Sequence, residues 1–222
     1  MTEADVAVDE LLRNRLRNAR PAYGWLSEER EDDRSRFAAE RVWVVDPIDG
    51  TQAFVEGVPE YSVSVGLLIA GRPALGMVLN PATGELFEAR RGQGARLNGE
   101  PVRASGRATL AGARLLSSRG EIHRRGWRDL FPEARVTTVG SLAYKLALVA
   151  CGRFDGYVSL RRTYDWDLAA AALLLEEAGG RITLADGTAL RFNDPEPRHD
   201  GLAAATAALH GDLVARLRTR LG

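Results

Sequence analysis

The sequence predicts a layered α/β fold, and three observations carry that prediction. The first half is a series of β-branched and apolar stretches cut by turn signals, the pattern of an antiparallel sheet. The second half alternates strand-like and helix-like stretches, as stacked α/β layers do. Amphipathic helices close both ends, over residues 2–19 and 209–221. Ser105-Gly106 marks the change of pattern, dividing an N-terminal α+β half (1–105) from a C-terminal α/β half (106–222). A chain of 222 residues can bury a substantial core across two such halves.

Lys+Arg and Asp+Glu both number 30, so the formal net charge is zero. That balance gives no whole-protein attraction to nucleic acid or to an acidic membrane. A hydrophobic fraction of 45% argues against disorder. Cys151 is the single cysteine, which rules out an intrachain disulfide and points to a reducing compartment. The N-terminus Met1-Thr2-Glu3-Ala4-Asp5 is acidic and lacks a signal-peptide apolar stretch, and no apolar run is long enough to span a bilayer. A cytoplasmic protein with neither nucleic acid nor membrane among its partners is expected.

Taken in order, Thr2-Glu3-Ala4-Asp5 fits a capping box, followed by the apolar stripe Val8, Leu11, Leu12 and Leu16. Asp5 is then the N3 capping carboxylate. Pro21 to Gly24 make a turn, and Trp25-Leu26-Ser27 lead as a strand into Glu28-Glu29, a pair that by itself reads as a solvated face. The charged residues 30–40 predict a mobile loop over the site. Val42-Trp43-Val44-Val45 is a buried strand that runs into Asp46-Pro47-Ile48-Asp49-Gly50-Thr51, where Pro and Asp-Gly are expected to turn the chain. An isolated Asp-x-x-Asp is most simply a solvated turn in which both acids cap the backbone. The full string, however, arises by chance in only about one such chain in 10^4. Two acids crowded at the end of a buried strand call for a cation, and a hard one such as Mg2+ suits carboxylate oxygens. Gln52 to Val55 read as a short helix whose first N–H groups, at Gly50, Thr51 and Gln52, suit a phosphate.

Strands follow at 62–70, 74–79 and 86–89, with Asn80 to Gly84 as a hairpin connection. Arg90 to Ala95 form a Gly-rich loop that lacks the strand–loop–helix setting of a nucleotide motif. The second half places a strand at 114–117, a helix at 121–130 and a strand at 135–139. Gly140-Ser141 then open a helix running to Cys151, and a strand follows at 156–160. Tyr164 to Leu168 open a further helix that stops at Ala178-Gly179-Gly180, with Asp165 as an acidic N-cap. Strands at 181–185 and 201–206 complete the layer. Cys151 reads as packing rather than as a nucleophile. His123, His199 and His210 show no metal-ligand spacing and read as surface or local-bonding residues.

Asp46-Pro47-Ile48-Asp49-Gly50-Thr51 resembles the signature of the inositol monophosphatase superfamily of Mg2+-dependent phosphomonoesterases. Asp167 through Glu177-Ala178-Gly179-Gly180 is similar to that superfamily's second signature, and the two motifs stand in the family order, 121 residues apart. The resemblance covers nearly the whole chain. It implies the sugar-phosphatase fold of alternating αβαβα layers, with the first N-terminal helices expected to be absent, since members usually carry one or two more ahead of Thr2. Apolar surface so uncovered is expected to be met by a homodimer.

The resemblance also implies the site. Glu28, Asp46 and the Ile48 carbonyl would hold one Mg2+, and Asp46, Asp49 and Asp167 a second, in a site of two or three ions. Ser27 stands where the family has Gly before this Glu-Glu pair, and Glu29 would hold a water beside Glu28. Thr51, with Asp5, would orient the attacking water, while Asp49, Gly50 and Thr51 face the phosphate. Water would attack in line with no phosphoenzyme. Haloacid-dehalogenase phosphatases, whose acids are two rather than three apart, and an inactive metal-binding relic are the remote alternatives.

The substrate is expected to be a small phosphorylated metabolite. Inositol monophosphatases usually place an acid shortly before Trp-Asp, whereas this chain has Arg161 and Arg162, which suit a second phosphate. Thr163-Tyr164-Asp165-Trp166-Asp167 and the Gly140-Ser141 and Lys145 stretch look like the 3′(2′),5′-bisphosphate nucleotidase branch. The expected substrate is accordingly 3′-phosphoadenosine 5′-phosphate, with Arg161, Arg162, Ser141 and Asp165 as contacts. Inositol 1-phosphate is the alternative.

Overall fold

The computed structural model describes residues 2–221. Helix α1 (Glu3–Ala19) starts at Thr2, whose side chain accepts from the Asp5 N–H while the Asp5 carboxylate accepts from the Thr2 N–H, so the predicted capping box forms. Strand β1 (Gly24–Ser27) lies parallel to β2 (Arg41–Asp49). After the short helix α2 (Thr51–Val55) come β3 (Ser62–Ile69), β4 (Arg72–Asn80) and β5 (Glu85–Arg90). The small strands β6 (Ala95–Leu97) and β7 (Glu100–Val102) extend the hairpin pattern beyond what the sequence predicts. All seven form one sheet in chain order, antiparallel except for the first pair.

The second half holds β8 (Arg114–Ser117), α3 (Arg119–Arg124), α4 (Trp127–Leu130), β9 (Arg135–Thr138), α5 (Leu142–Ala150) and β10 (Gly156–Tyr164). It continues through α6 (Asp165–Glu177), β11 (Gly180–Thr183), β12 (Arg198–Thr206) and α7 (His210–Arg218). The five-stranded sheet runs β11-β12-β10-β8-β9.

The layers follow from which faces are apolar. Helices α5 and α6 are buried nearly all round and lie between the two sheets, with Val78 and Phe87 on one side and Tyr157 and Leu202 on the other. The amphipathic α1 covers the outer face of the first sheet through Leu12 and Leu16 against Trp25, Trp43 and Val45. On the outer face of the second sheet, Trp127 of α4, Phe131 just after it, and Leu213 and Leu217 of α7 pack against Leu115 and Val158. The order is αβαβα, as the motif resemblance implies. The crossing of α6 over the first sheet is close. A Cβ on Gly76 would stand 2.4 Å from the Ala170 carbonyl oxygen. Gly76→Ala is therefore expected to cost about 1–3 kcal/mol by overpacking, read as a lower denaturant midpoint at unchanged m.

Two local features differ from expectation. The chain does not turn at Pro47: β2 runs on, with a register shift, to Asp49, and the chain turns at Gly50, whose φ is 89°. Residues 30–40 are pinned rather than mobile: Arg36 is fully buried and its guanidinium donates to Asp32, to Asn193 and to the Asp194 carbonyl. The Gly-rich 90–95 loop is the plain hairpin connection between β5 and β6 that the sequence suggests, and its Gly92 and Gly94 N–H groups donate to the Glu177 carboxylate at 2.8 and 2.9 Å.

Candidate active site

The site forms where β2 ends and α5 and α6 begin. Side chains alternate faces along a strand, so acids at i and i+3 would ordinarily point to opposite sides. Asp46 pairs with Ser64 and Asp49 with Ser62, which leaves one extra residue on β2, a bulge at Pro47-Ile48. Pro47 has no N–H to lose there. The bulge brings Asp49 round to Asp46, and Asp167 in the first turn of α6 completes a trio. Its carboxylate oxygens lie within 4.8 Å of one another.

Electrostatics show what the trio lacks. Asp46 is 1% exposed, and its Oδ1 has no hydrogen-bond partner. Burial, then the charges of Asp49, Glu28 and Asp167, push its carboxyl well above the ordinary range. Burial and Asp49 do the same to Asp167, against the Tyr164 N–H that donates to it at 2.7 Å. Asp49 is raised by burial but opposed by its donors, the Ser141 hydroxyl and the Ala143 N–H, both at 2.5 Å. An orphaned buried carboxylate oxygen amid converging acids, with hard oxygen donors on every side, fits a bound Mg2+.

The other expected residues divide. Glu28 stands at the exposed rim outside the trio, its carboxyl pushed up by partial burial and by Asp49, against a lowering hydrogen bond with Asp46. Glu29 is half-buried, raised by burial and by Asp5. Thr51 Oγ1 donates toward the Ile48 carbonyl at 3.0 Å and lies 3.4 Å from Asp5 Oδ1, so Asp5 both caps α1 and reaches Thr51. Gly50 lines the adjoining cavity, and a Cβ there would be 3.0 Å from the Glu60 carbonyl oxygen.

Ser141 does not face the cavity: fully buried, it caps α5 by accepting from the Tyr144 N–H and orients Asp49, so its substrate role becomes a positioning one. Asp165 is neither the N-cap, which is Tyr164, nor a substrate contact. Its buried carboxylate is taken by His199 Nε2 and the Asn193 N–H, both at 2.8 Å. His199 and His210 are buried and bonding rather than on the surface, His210 Nε2 lying 3.1 Å from Thr183 Oγ1, and the side chain of His123 is outside the described residues. Arg161 lines the cavity, and both Arg161 and Arg162 line a smaller one containing Asp49 and Asp167, where Arg162 also pairs with Asp200 at 3.3 Å. Cys151 ends α5 half-buried, with burial raising its thiol, which suits packing.

Sequence reasoning missed two groups. Asp9, buried on α1, accepts from Ser27 Oγ at 2.6 Å and pairs with Arg30, so it braces the strand end that presents Glu28. The second is the lining of a cavity of about 780 Å³, where Arg119, Arg124 and Arg125 join Lys145 and Arg161. Lys145 is 3% exposed, its ammonium pushed down to about 8 chiefly by burial. No helix among the described residues is long and apolar enough to cross a membrane.

Two stacked sheets with a carboxylate trio at a bulged strand end form a site that could hold a divalent metal ion. The chain belongs to the inositol monophosphatase family, whose model matches residues 1–221. It is 38% identical to the inositol-1-monophosphatase of Rhizobium meliloti (strain 1021), over 84% of this chain and 73% of that one. It is 36% identical to the Nus factor SuhB of Pseudomonas aeruginosa, over 82% and 72%. Among solved structures, the inositol monophosphatase from Anabaena superposes with a TM-score of 0.83 at 31% identity, covering 97% of this chain and 86% of that one. None of these names points to the bisphosphate nucleotidase branch.

Proposed function

We propose that this protein hydrolyses a small phosphate monoester by direct attack of water, with an inositol monophosphate as the first substrate to test. The orphaned Asp46 oxygen within the acidic trio carries the reading, and the relatives' names support the ester. Asp46, Asp49 and Asp167, with Glu28 and the Ile48 carbonyl, are the groups that would hold two or three Mg2+ ions. Bound there, Mg2+ supplies positive charge against the phosphate and acidifies water. The chain does the rest. The Thr51 hydroxyl, set between the Ile48 carbonyl and Asp5, accepts and orients the attacking water. The first N–H groups of α2, at Gly50, Thr51 and Gln52, hold phosphate oxygens. Asp9 and Ser141 keep Glu28 and Asp49 in place.

Turnover of inositol 1-phosphate in 18O-labelled water checks this route. The expected result is one labelled oxygen per released phosphate and no phosphorylated protein. A phosphorylated Asp46 or Asp49 would contradict it and favour an aspartyl-phosphate route. The same reading includes a homodimer, checked by light scattering of the purified chain.

A further inference from the structure

The acids assigned to Mg2+ stand on segments far apart in the chain. Glu28 directly follows β1, whereas Asp167 lies in the first turn of α6. Behind burial and Asp49, Glu28 is among the charges that push the Asp167 carboxyl up, so without a cation the two segments repel each other.

A continuous set of bonds opposes that repulsion, and it runs through Asn193. On the α6 side, the fully buried Asp165 carboxylate accepts from the Asn193 N–H and meets His199 Nε2, both at 2.8 Å. The Asp165 N–H donates to the Pro197 carbonyl at 2.9 Å, so residues 193–199 wrap the start of α6. On the β1 side, the Asn193 side-chain oxygen accepts from the Arg36 guanidinium, and the Asp194 carbonyl accepts from it at 2.9 Å. Asp32 accepts from the same group at 3.0 and 2.9 Å. The turn carrying Arg36 (Ser35–Ala38) rests directly on the start of β1, since a Cβ on Gly24 would stand 3.0 Å from the Arg36 Cα. The far end of that strand is braced by Asp9 through Ser27 and Arg30. A fully buried guanidinium is costly unless its donors are taken, and here Asn193, Asp194 and Asp32 take them.

We propose that Arg36 and Asn193 are positioning residues of the metal centre: their bond clamps the β1 end that carries Glu28 to the first turn of α6 that carries Asp167. This role rests on the reading of these acids as Mg2+ ligands. It gives the 30–40 segment the task of keeping them assembled before a cation arrives. Groups held together in advance leave less ordering to be met on binding, so the clamp acts on Mg2+ affinity rather than on the chemical step.

Asn193→Gly tests it. The Asn193 φ is 65°, which glycine adopts freely, so the variant removes the side-chain acceptor and leaves the backbone unstrained. Asn193→Asp restores an acceptor for Arg36. Calorimetric titration of the EDTA-treated chain with Mg2+ should give a dissociation constant about tenfold higher in the glycine variant, the usual size of an outer-shell loss, and near the wild-type value in the aspartate variant. Amide hydrogen exchange of residues 30–40 in EDTA should quicken in the glycine variant alone. With inositol 1-phosphate, the Mg2+ concentration giving half the maximal rate should rise by the same factor, while kcat at saturating Mg2+ stays within about threefold of wild type.

Lower stability in the glycine variant with unchanged Mg2+ affinity would reduce the clamp to a fold contact and overturn the proposal. Equal weakening in the aspartate variant, or unaltered exchange in 30–40, would overturn it too. A wild-type chain that binds Mg2+ but turns over no ester would sink the hydrolytic reading and leave the clamp standing, whereas one that binds no Mg2+ would sink both.

Discussion

Asp46→Asn melts at a higher temperature than the wild-type chain in EDTA and gains nothing from Mg2+. The expectation follows from the orphaned Oδ1 and from acids crowding a carboxylate that is 1% exposed. An amide of the same shape removes a buried charge without opening a cavity, and relief of about 2 kcal/mol corresponds to a few degrees in a chain of this size. The pH dependence has a definite sign. Burial and mutual repulsion raise Asp46, Asp167 and Glu28 in the folded chain above their unfolded values. Their favourable contribution is thus fully present below the ordinary carboxylate range and is lost as pH rises through the raised values. In EDTA the wild-type melting temperature should fall as pH climbs from that range toward neutrality, and Mg2+ should restore most at the alkaline end. Scanning calorimetry across pH, with and without Mg2+, reads both effects. A variant less stable than the wild type in EDTA would mean that the Asp46 charge is already compensated.

Asp49→Ala should move stability the other way while also abolishing turnover. Asp49 faces the same cation site, but its Oδ2 accepts from Ser141 and from the Ala143 N–H. Truncation strands a buried N–H at the start of α5 and frees the serine that caps that helix. Losing charged hydrogen bonds and leaving a buried donor unpaired costs about 2–4 kcal/mol. Turnover should fall by about 10^3 or more, as one wall of the site is gone. Denaturant unfolding in EDTA and phosphate release in Mg2+ separate the two consequences. Opposite signs at Asp46 and Asp49 would distinguish a charge held only by a cation from one that also ties β2 to α5.

Much of this site was legible because its residues are local in sequence. Asp46, Asp49 and Thr51 lie within one strand end, and Asp5 was readable as a cap because capping spans three residues. The rest depends on contacts between distant segments. Arg36 looked like one more charge in a polar loop, and only its bonds to Asn193 and Asp194 show that it locks that loop. Asp165 looked like a helix cap until His199, from a strand far along the chain, took its carboxylate. The α3 arginines lack any motif, and Glu121 brings them to the site by binding a bulge on β10. Both bulges escaped the sequence reading for a related reason: a bulge is a mismatch between two strands, so neither strand's pattern displays it alone. Gly76, which permits the close crossing of α6, shows the same limit.

Phosphate release from inositol 1-phosphate, followed as Mg2+ is added back to EDTA-treated wild-type chain beside Asp46→Asn, tests the central claim most directly. Release that is absent in EDTA, rises with Mg2+ in the wild type and stays at background in the variant is the predicted result. Release that is indifferent to Mg2+, or that survives Asp46→Asn, would contradict the assignment of the trio as the metal-dependent hydrolytic centre.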